Sequence, residues 1–223
     1  MLVAGIAVLV TACSGGGGDN TAGDTGDSTS DTSATTESGP KHTQFADFPG
    51  QELVTTEPGL DLGMRVKAID AAWTPELAGV SAEAGRRYLA VYVAVTGELA
   101  DRGVQEAKIQ YLQLRYDNVG GENCDPYTPD EVPQYCFSEA YPASDLRSEI
   151  ADNTWRGEDW QADSLLGRDI ERGETAIGVV GFNLADSENI TNPQLCGPTK
   201  DQSTPEFNEF PCVPIPKPDG SRN

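Results

Sequence analysis

Five cysteines, a single histidine and a run of acids between two tryptophans are the residues whose types and spacing could do chemistry in this 223-residue chain. Cys124, Cys136, Cys196 and Cys212 make an even set, and Cys13 stands apart near the start. Structural zinc uses close pairs of the C-x(2–4)-C kind, whereas neighbours here are 12 and 16 positions apart. His42, the one histidine, falls in a linker segment, so neither a zinc site nor a Ser-His-Asp triad is expected. Disulfides are the remaining use for an even number of cysteines in an exported protein. Four cysteines allow three connectivities, and we expect the nearest-neighbour pairing, Cys124 with Cys136 and Cys196 with Cys212.

Two polar stretches could hold a ligand. Asp117, Asn118, Glu122 and Asp125 surround a Gly-Gly pair, and hard oxygen ligands on a turn are what Ca²⁺ accepts. Their spacing does not match an EF-hand loop, and Asn, Asp and Gly are also the ordinary residues of a polar turn, which is the reading we favour. The segment Trp155-Arg-Gly-Glu-Asp-Trp160 sets indoles among Glu158, Asp159 and Asp163, as sugar-binding clefts and carboxylate-pair glycosidases do. Trp155 and Trp160, joined by Tyr127 and Tyr141, are the candidate ligand-binding aromatics. The competing expectation is that the tryptophans pack the segment onto the rest of the domain while the acids face water. No nucleophile-base pair is legible, so the chain reads as a non-enzyme without a resident cofactor; calcium is the alternative, and a small carboxylate-dependent hydrolase a more remote one.

The apolar run Leu2 to Val10 ends at Val10-Thr-Ala-Cys13, which resembles the lipobox of bacterial lipoproteins. A short apolar stretch followed by small residues is the secretory pattern, and it is too short to span a bilayer. The resemblance implies cleavage before Cys13 and acylation of that residue, with residues 1–12 as signal peptide. Each buried methylene contributes about 0.8 kcal/mol, so two or three chains would hold the protein at a membrane. No Lys or Arg precedes the apolar run, so the true start is expected upstream, or the export signal is atypical. Residues 13–44 follow as a Gly, Ser, Thr and Asp linker.

A formal charge of −21 repels nucleic-acid phosphates, which excludes that class of partner. An extracytoplasmic domain anchored at the membrane, with an envelope protein or glycan as partner, is the reading that remains.

Residues 45–223 carry strand patterns and no long helical period. Leu60, Leu62, Met64, Val66 and Ala68 alternate with polar residues. Tyr88 to Thr96 is apolar on both faces and so belongs at the centre of a sheet. Further strands are expected over Ile109–Tyr116 and Thr175–Leu184, with weaker ones at Leu53–Thr56 and near Ile190. The fold class is therefore all-β, an antiparallel sandwich. The succession of a strand ending near Ile69, then Gly85 to Thr96, Tyr111 to Asp117 and Arg172 to Phe182 resembles the telokin-like, immunoglobulin-like domain of unknown function found on many bacterial lipoproteins. That resemblance implies an immunoglobulin-like β-sandwich outside the cytoplasm and supplies no catalytic residues. The chain departs from it in a long insertion, 118–168, and in a Pro-rich tail beyond Asn192. Loops that long are uncommon unless functional or disordered, so the insertion is where a binding surface is expected.

Overall fold

The computed structural model describes residues 42–57, 60, 62–121, 124, 132–148, 150, 154–162, 167–200 and 210–220. Cys13, Glu122, Asp125, Tyr127 and Asp163 lie outside the described residues. The strands run in the order β1 (Glu52–Thr55), β2 (Met64–Thr74), β3 (Glu76–Leu77), β4 (Val80–Ser81), β5 (Arg86–Gly97) and β6 (Val104–Ala107). They continue with β7 (Gln113–Asp117), β8 (Tyr135–Glu139), β9 (Arg168–Ile170), β10 (Ala176–Ala185), β11 (Thr191–Cys196) and β12 (Cys212–Pro214). Two four-stranded antiparallel sheets, β1-β2-β5-β10 and β12-β11-β7-β8, make an all-β, sandwich-like arrangement. Two small pairs, β3 with β4 and β6 with β9, complete it.

Strand β5 shows why both of its faces are apolar. Leu89, Val91, Val93 and Val95 enter the core between the two sheets, where Leu112, Leu114, Phe182 and Leu195 meet them. Tyr88, Ala90, Tyr92 and Ala94 point the other way, into a second apolar cluster. That cluster is roofed by Phe45 and Phe48 from the amino-terminal side and by Ile150, Trp155 and Trp160 from the insertion. The first sheet is thus covered on both faces, which suits a strand without polar alternation.

A β-bulge between Ala68 and Asp70 changes the phase of β2. Before it, Met64, Val66 and Ala68 face the inter-sheet core; after it, Ala71 does. Ile69 joins the outer cluster, and Asp70 comes beneath the insertion. Bulges re-aim side chains in this way, and strict alternation cannot be read across one. Strand β2 also starts later than its pattern suggested, leaving Leu60 exposed.

The insertion is not one loop. Its first half supplies β8, which pairs with β7 along Gln113–Asp117. The chain then changes sheets: Tyr141 N–H donates to Gly181 O, Gly181 N–H to Pro142 O and Arg147 N–H to Ile177 O, so residues 141–147 run along β10. Across the sandwich, Thr55 Oγ1 and Thr56 N–H both donate to Pro198 O, joining β1 to the end of β11. Both flanks are therefore stitched between sheets. The region 109–112, expected as strand, is a turn in which Leu112 N–H donates to Ile109 O. Ile109 and Leu112 are still buried.

Candidate functional site

The expected disulfides are present. Cys124 is bonded to Cys136, and Cys196 to Cys212, with Cα separations of 5.6 and 4.1 Å. Cys196 and Cys212 are register partners on β11 and β12, so this bridge clamps an edge strand of only three residues. The other ties the loop before β8 to the strand itself.

Trp155 and Trp160 do not line an open cleft, and that expectation is corrected: they are 6% and 5% exposed. Trp155 opens a single 3₁₀ turn, Trp155–Gly157, that lies on the outer face of the first sheet. Its Nε1 donates to Asp70 Oδ2 at 2.9 Å, and Trp160 Nε1 donates to Trp155 O at 2.8 Å. Each indole thus finds a polar partner while its rings stay in an apolar cluster, as buried tryptophans require. His42 is likewise corrected from the linker to this cluster, with its ring 5.0 Å from Phe48 and 6.1 Å from Trp155. Tyr141 is displaced from the tryptophans; it is exposed where the chain changes sheets.

Arg156 locks the turn in place. Its Nε and Nη2 straddle the Asp70 carboxylate, each at 2.5 Å, while Nη1 reaches Asp219 Oδ2 at 2.7 Å. Strand β2, the insertion and the tail thereby meet at one guanidinium. Burial alone pushes the Asp70 carboxyl upward, but hydrogen bonds from Arg156 and Trp155 outweigh it and hold the group below its ordinary range. The hydrogen bond with Asp70 raises the Arg156 guanidinium in turn. A depressed carboxyl contributes stability at neutral pH that is lost as pH falls through the folded value. Asp70→Asn should therefore cost about 1–2 kcal/mol at pH 7, because Arg156 is partly exposed and screened. The difference from the parent should shrink below about pH 4, where an unfolded Asp protonates. Denaturant titrations at pH 7 and pH 3 check this; a difference independent of pH would contradict it.

The acids of this segment serve nearby cations and donors. Glu158 lies 3.7 Å from Arg147, whose guanidinium sits 4.9 Å over the Trp160 ring. Asp159 Oδ1 accepts from Gln161 Nε2. At the proposed calcium loop the turn reading describes Asn118: its Nδ2 donates to Pro133 O, and its Oδ1 accepts from Gly121 N–H. Asp117 faces elsewhere and accepts from Asn192 Nδ2 at 2.5 Å. Among the described residues no group of three or more His, Cys, Asp or Glu could hold a metal ion.

A site absent from the sequence reading lies on the outer face of the second sheet. Leu114, Leu195 and Val213 occupy one cross-strand row and point into the core. The next row, Phe137, Arg115, Gln194 and Pro214, therefore faces outward. Arg115 is the centre of this face. Its Nε and Nη2 donate to Gln194 Oε1 at 3.0 and 2.6 Å, and its Cζ lies 4.9 Å over the Tyr135 ring. With the tail and the start of β11, Arg115, Gln194, Pro214 and Tyr135 bound an open groove of about 850 Å³, also lined by Trp73, Asp117, Asn192 and Lys217. That volume lies in the usual range of small-molecule sites, roughly 300–1,000 Å³. Alternation along β7 puts Arg115 on the face opposite Leu114 and Tyr116, but only the pairing of four strands and the tail reveals the groove.

Compared with protein-family models, curated proteins and solved structures, the chain shows no match.

Proposed function

We propose that this chain is an extracytoplasmic lipoprotein, anchored to the membrane by lipid on Cys13, whose domain is a non-enzymatic binding module of the cell envelope. The observation that carries the reading is the cysteine arithmetic. Cys124, Cys136, Cys196 and Cys212 are consumed in two disulfides, which leaves Cys13 as the one cysteine for acylation. Disulfides persist in oxidising compartments outside the cytoplasm, in agreement with the lipobox resemblance. The likeness to the telokin-like lipoprotein domain supports the same location. A binding role is favoured over catalysis because the indoles of 155–160 are taken up in packing and the neighbouring acids in hydrogen bonds and ion pairs. The working surface moves accordingly from the insertion to the groove on the second sheet.

Mass spectrometry of the amino-terminal peptide from a membrane fraction tests the anchor. The expected peptide begins at Cys13 with a diacylglyceryl group, and Cys13→Ser releases the protein to the soluble fraction. An unmodified thiol at Cys13 overturns the reading. Glycan turnover abolished by Glu158→Gln would overturn the non-enzymatic part.

A further inference from the structure

Arg115 brings to the groove a charge that no carboxylate meets among the described residues. Asp and Glu outnumber Lys and Arg by 36 to 15 in this chain. Arg65, Arg87, Lys108, Arg147, Arg156 and Arg168 each have a carboxylate within ion-pair distance. Lys67 and Arg86 meet neutral oxygens instead, and so does Arg115, half-buried on the floor of the groove, whose partners are the Gln194 amide and the Tyr135 ring; of these three only Arg115 lines this groove. Among the described residues no carboxylate pairs with it, although Asp117 lies two residues along the same strand. Lys217, on the groove wall, likewise has no carboxylate partner among the described residues. A guanidinium held out of bulk water by neutral neighbours leaves a charge for an anionic group to meet, and its fork geometry suits a carboxylate.

Asp117 narrows the ligand class. Its Oδ2 is fixed on Asn192 Nδ2, so the carboxylate is oriented in the groove as an acceptor. An anion without hydroxyls, such as sulfate or chloride, would offer it only repulsion. A ligand bearing hydroxyls as well as a carboxylate satisfies both Asp117 and Arg115. Gln194, which lines the groove, spends its carbonyl on Arg115 and so keeps its amide N–H groups as donors. Tyr135 and Trp73 add apolar ring surface beside these polar groups. The floor is a sheet face whose backbone groups are used in the ladder between β7, β8, β11 and β12. Side chains alone therefore read the ligand, whereas an extended peptide adding to a sheet needs an open edge.

We propose that this groove binds an acidic saccharide, with Arg115 on its carboxylate, Lys217 as a second cation, Asp117 and Gln194 on its hydroxyls, and Tyr135 against a ring face. The proposal rests on the binding-module reading and gives that module its ligand class.

The test is isothermal titration of the full-length, disulfide-intact protein with trigalacturonic acid, its methyl ester, a muramic-acid disaccharide, maltotriose and triglutamate. Binding of either acidic sugar supports the proposal, and the two arms tell a uronic from a muramic source. The methyl ester and maltotriose should bind at least about tenfold more weakly, and Arg115→Gln should weaken the acidic sugar about ten- to a hundredfold. Arg115→Lys, which keeps the charge and spares the fold, should recover part of the loss. Arg172→Gln, on the turn before β10, should change nothing, and thermal melting checks that every variant is folded. Equal binding of acid and ester, indifference of a folded Arg115→Gln variant, or triglutamate binding as tight as the sugars overturns the proposal. Failure of both acidic sugars to bind also overturns it, and leaves the anchor to be decided separately by the Cys13 peptide.

Discussion

Replacing Trp155 with alanine is expected to destabilise the domain by about 3–5 kcal/mol, the range for removing a large buried aromatic. The indole fills the outer cluster beside Phe48, His42 and Tyr92. Its loss also removes a hydrogen bond from Asp70 and the packing beneath the turn that presents Arg156. Two readouts separate local from global damage. Denaturant unfolding measures the total, and limited proteolysis around 154–160 reports whether the insertion lifts from the sheet first. Trp160→Ala should show the same direction, because its Nε1 bond to Trp155 O holds the far side of the same turn. A cost under about 1 kcal/mol for Trp155→Ala would mean that the sheet face stays covered without it, contrary to the packing described.

The paired substitution Cys196→Ser and Cys212→Ser should cost about 3 kcal/mol by the loop-closure relation. The loop closed by Cys124 and Cys136 is of similar length, so its entropic contribution is nearly the same. Position separates the two bridges. Strand β12 has only Cys212, Val213 and Pro214 with which to hold its place beside β11, and the tail carrying Lys217 follows directly. Loss of that bridge should therefore disturb the groove as well as the stability, while loss of Cys124–Cys136 acts on the loop before β8. Melting curves of the two double variants, with and without reductant, check the magnitudes. Equal effects of reductant on the parent and on the Cys196/Cys212 variant would show that this bridge contributes nothing.

Much of the first sheet was legible because its strands announce themselves locally. Strand β10 appears almost residue for residue where Val180, Phe182 and Leu184 alternate, and β5 sits at the centre that its two apolar faces required. Strands β8 and β12 were not legible. Tyr135–Glu139 and Cys212–Pro214 are short and embedded in stretches rich in Cys, Pro and acids, and they become strands through pairing with β7 and β11. The tryptophans posed a different problem. Their residue types fit a sugar cleft or a buried anchor equally well, and the deciding partner, Asp70, is 85 residues away and turned toward them by a bulge. His42 looked like linker because its neighbours in sequence are polar, yet Phe48 and Trp155 give it a packed place. Arg115 could be assigned to the polar face of β7. That its charge has no acidic counterpart among the described residues is a property of the assembled face and of no local pattern.

The run of residues 141–147 along β10, and the proline-punctuated tail beyond β12, have a consequence for how copies of the protein behave beside one another. A domain held in the plane of a membrane, as proposed, meets its neighbours at high local concentration, where open strand edges invite strand exchange and aggregation. Here Gly181 N–H and Ile177 N–H, which a bare β10 could offer to a second molecule, are spent on Pro142 O and Arg147 O of the same chain. At the opposite end of the fold, β12 is three residues long, and Pro214, Pro216 and Pro218 have no backbone N–H with which to extend a ladder. The run along β10, together with the tail that shapes the groove, thus hinders crowded copies from zipping into a shared sheet.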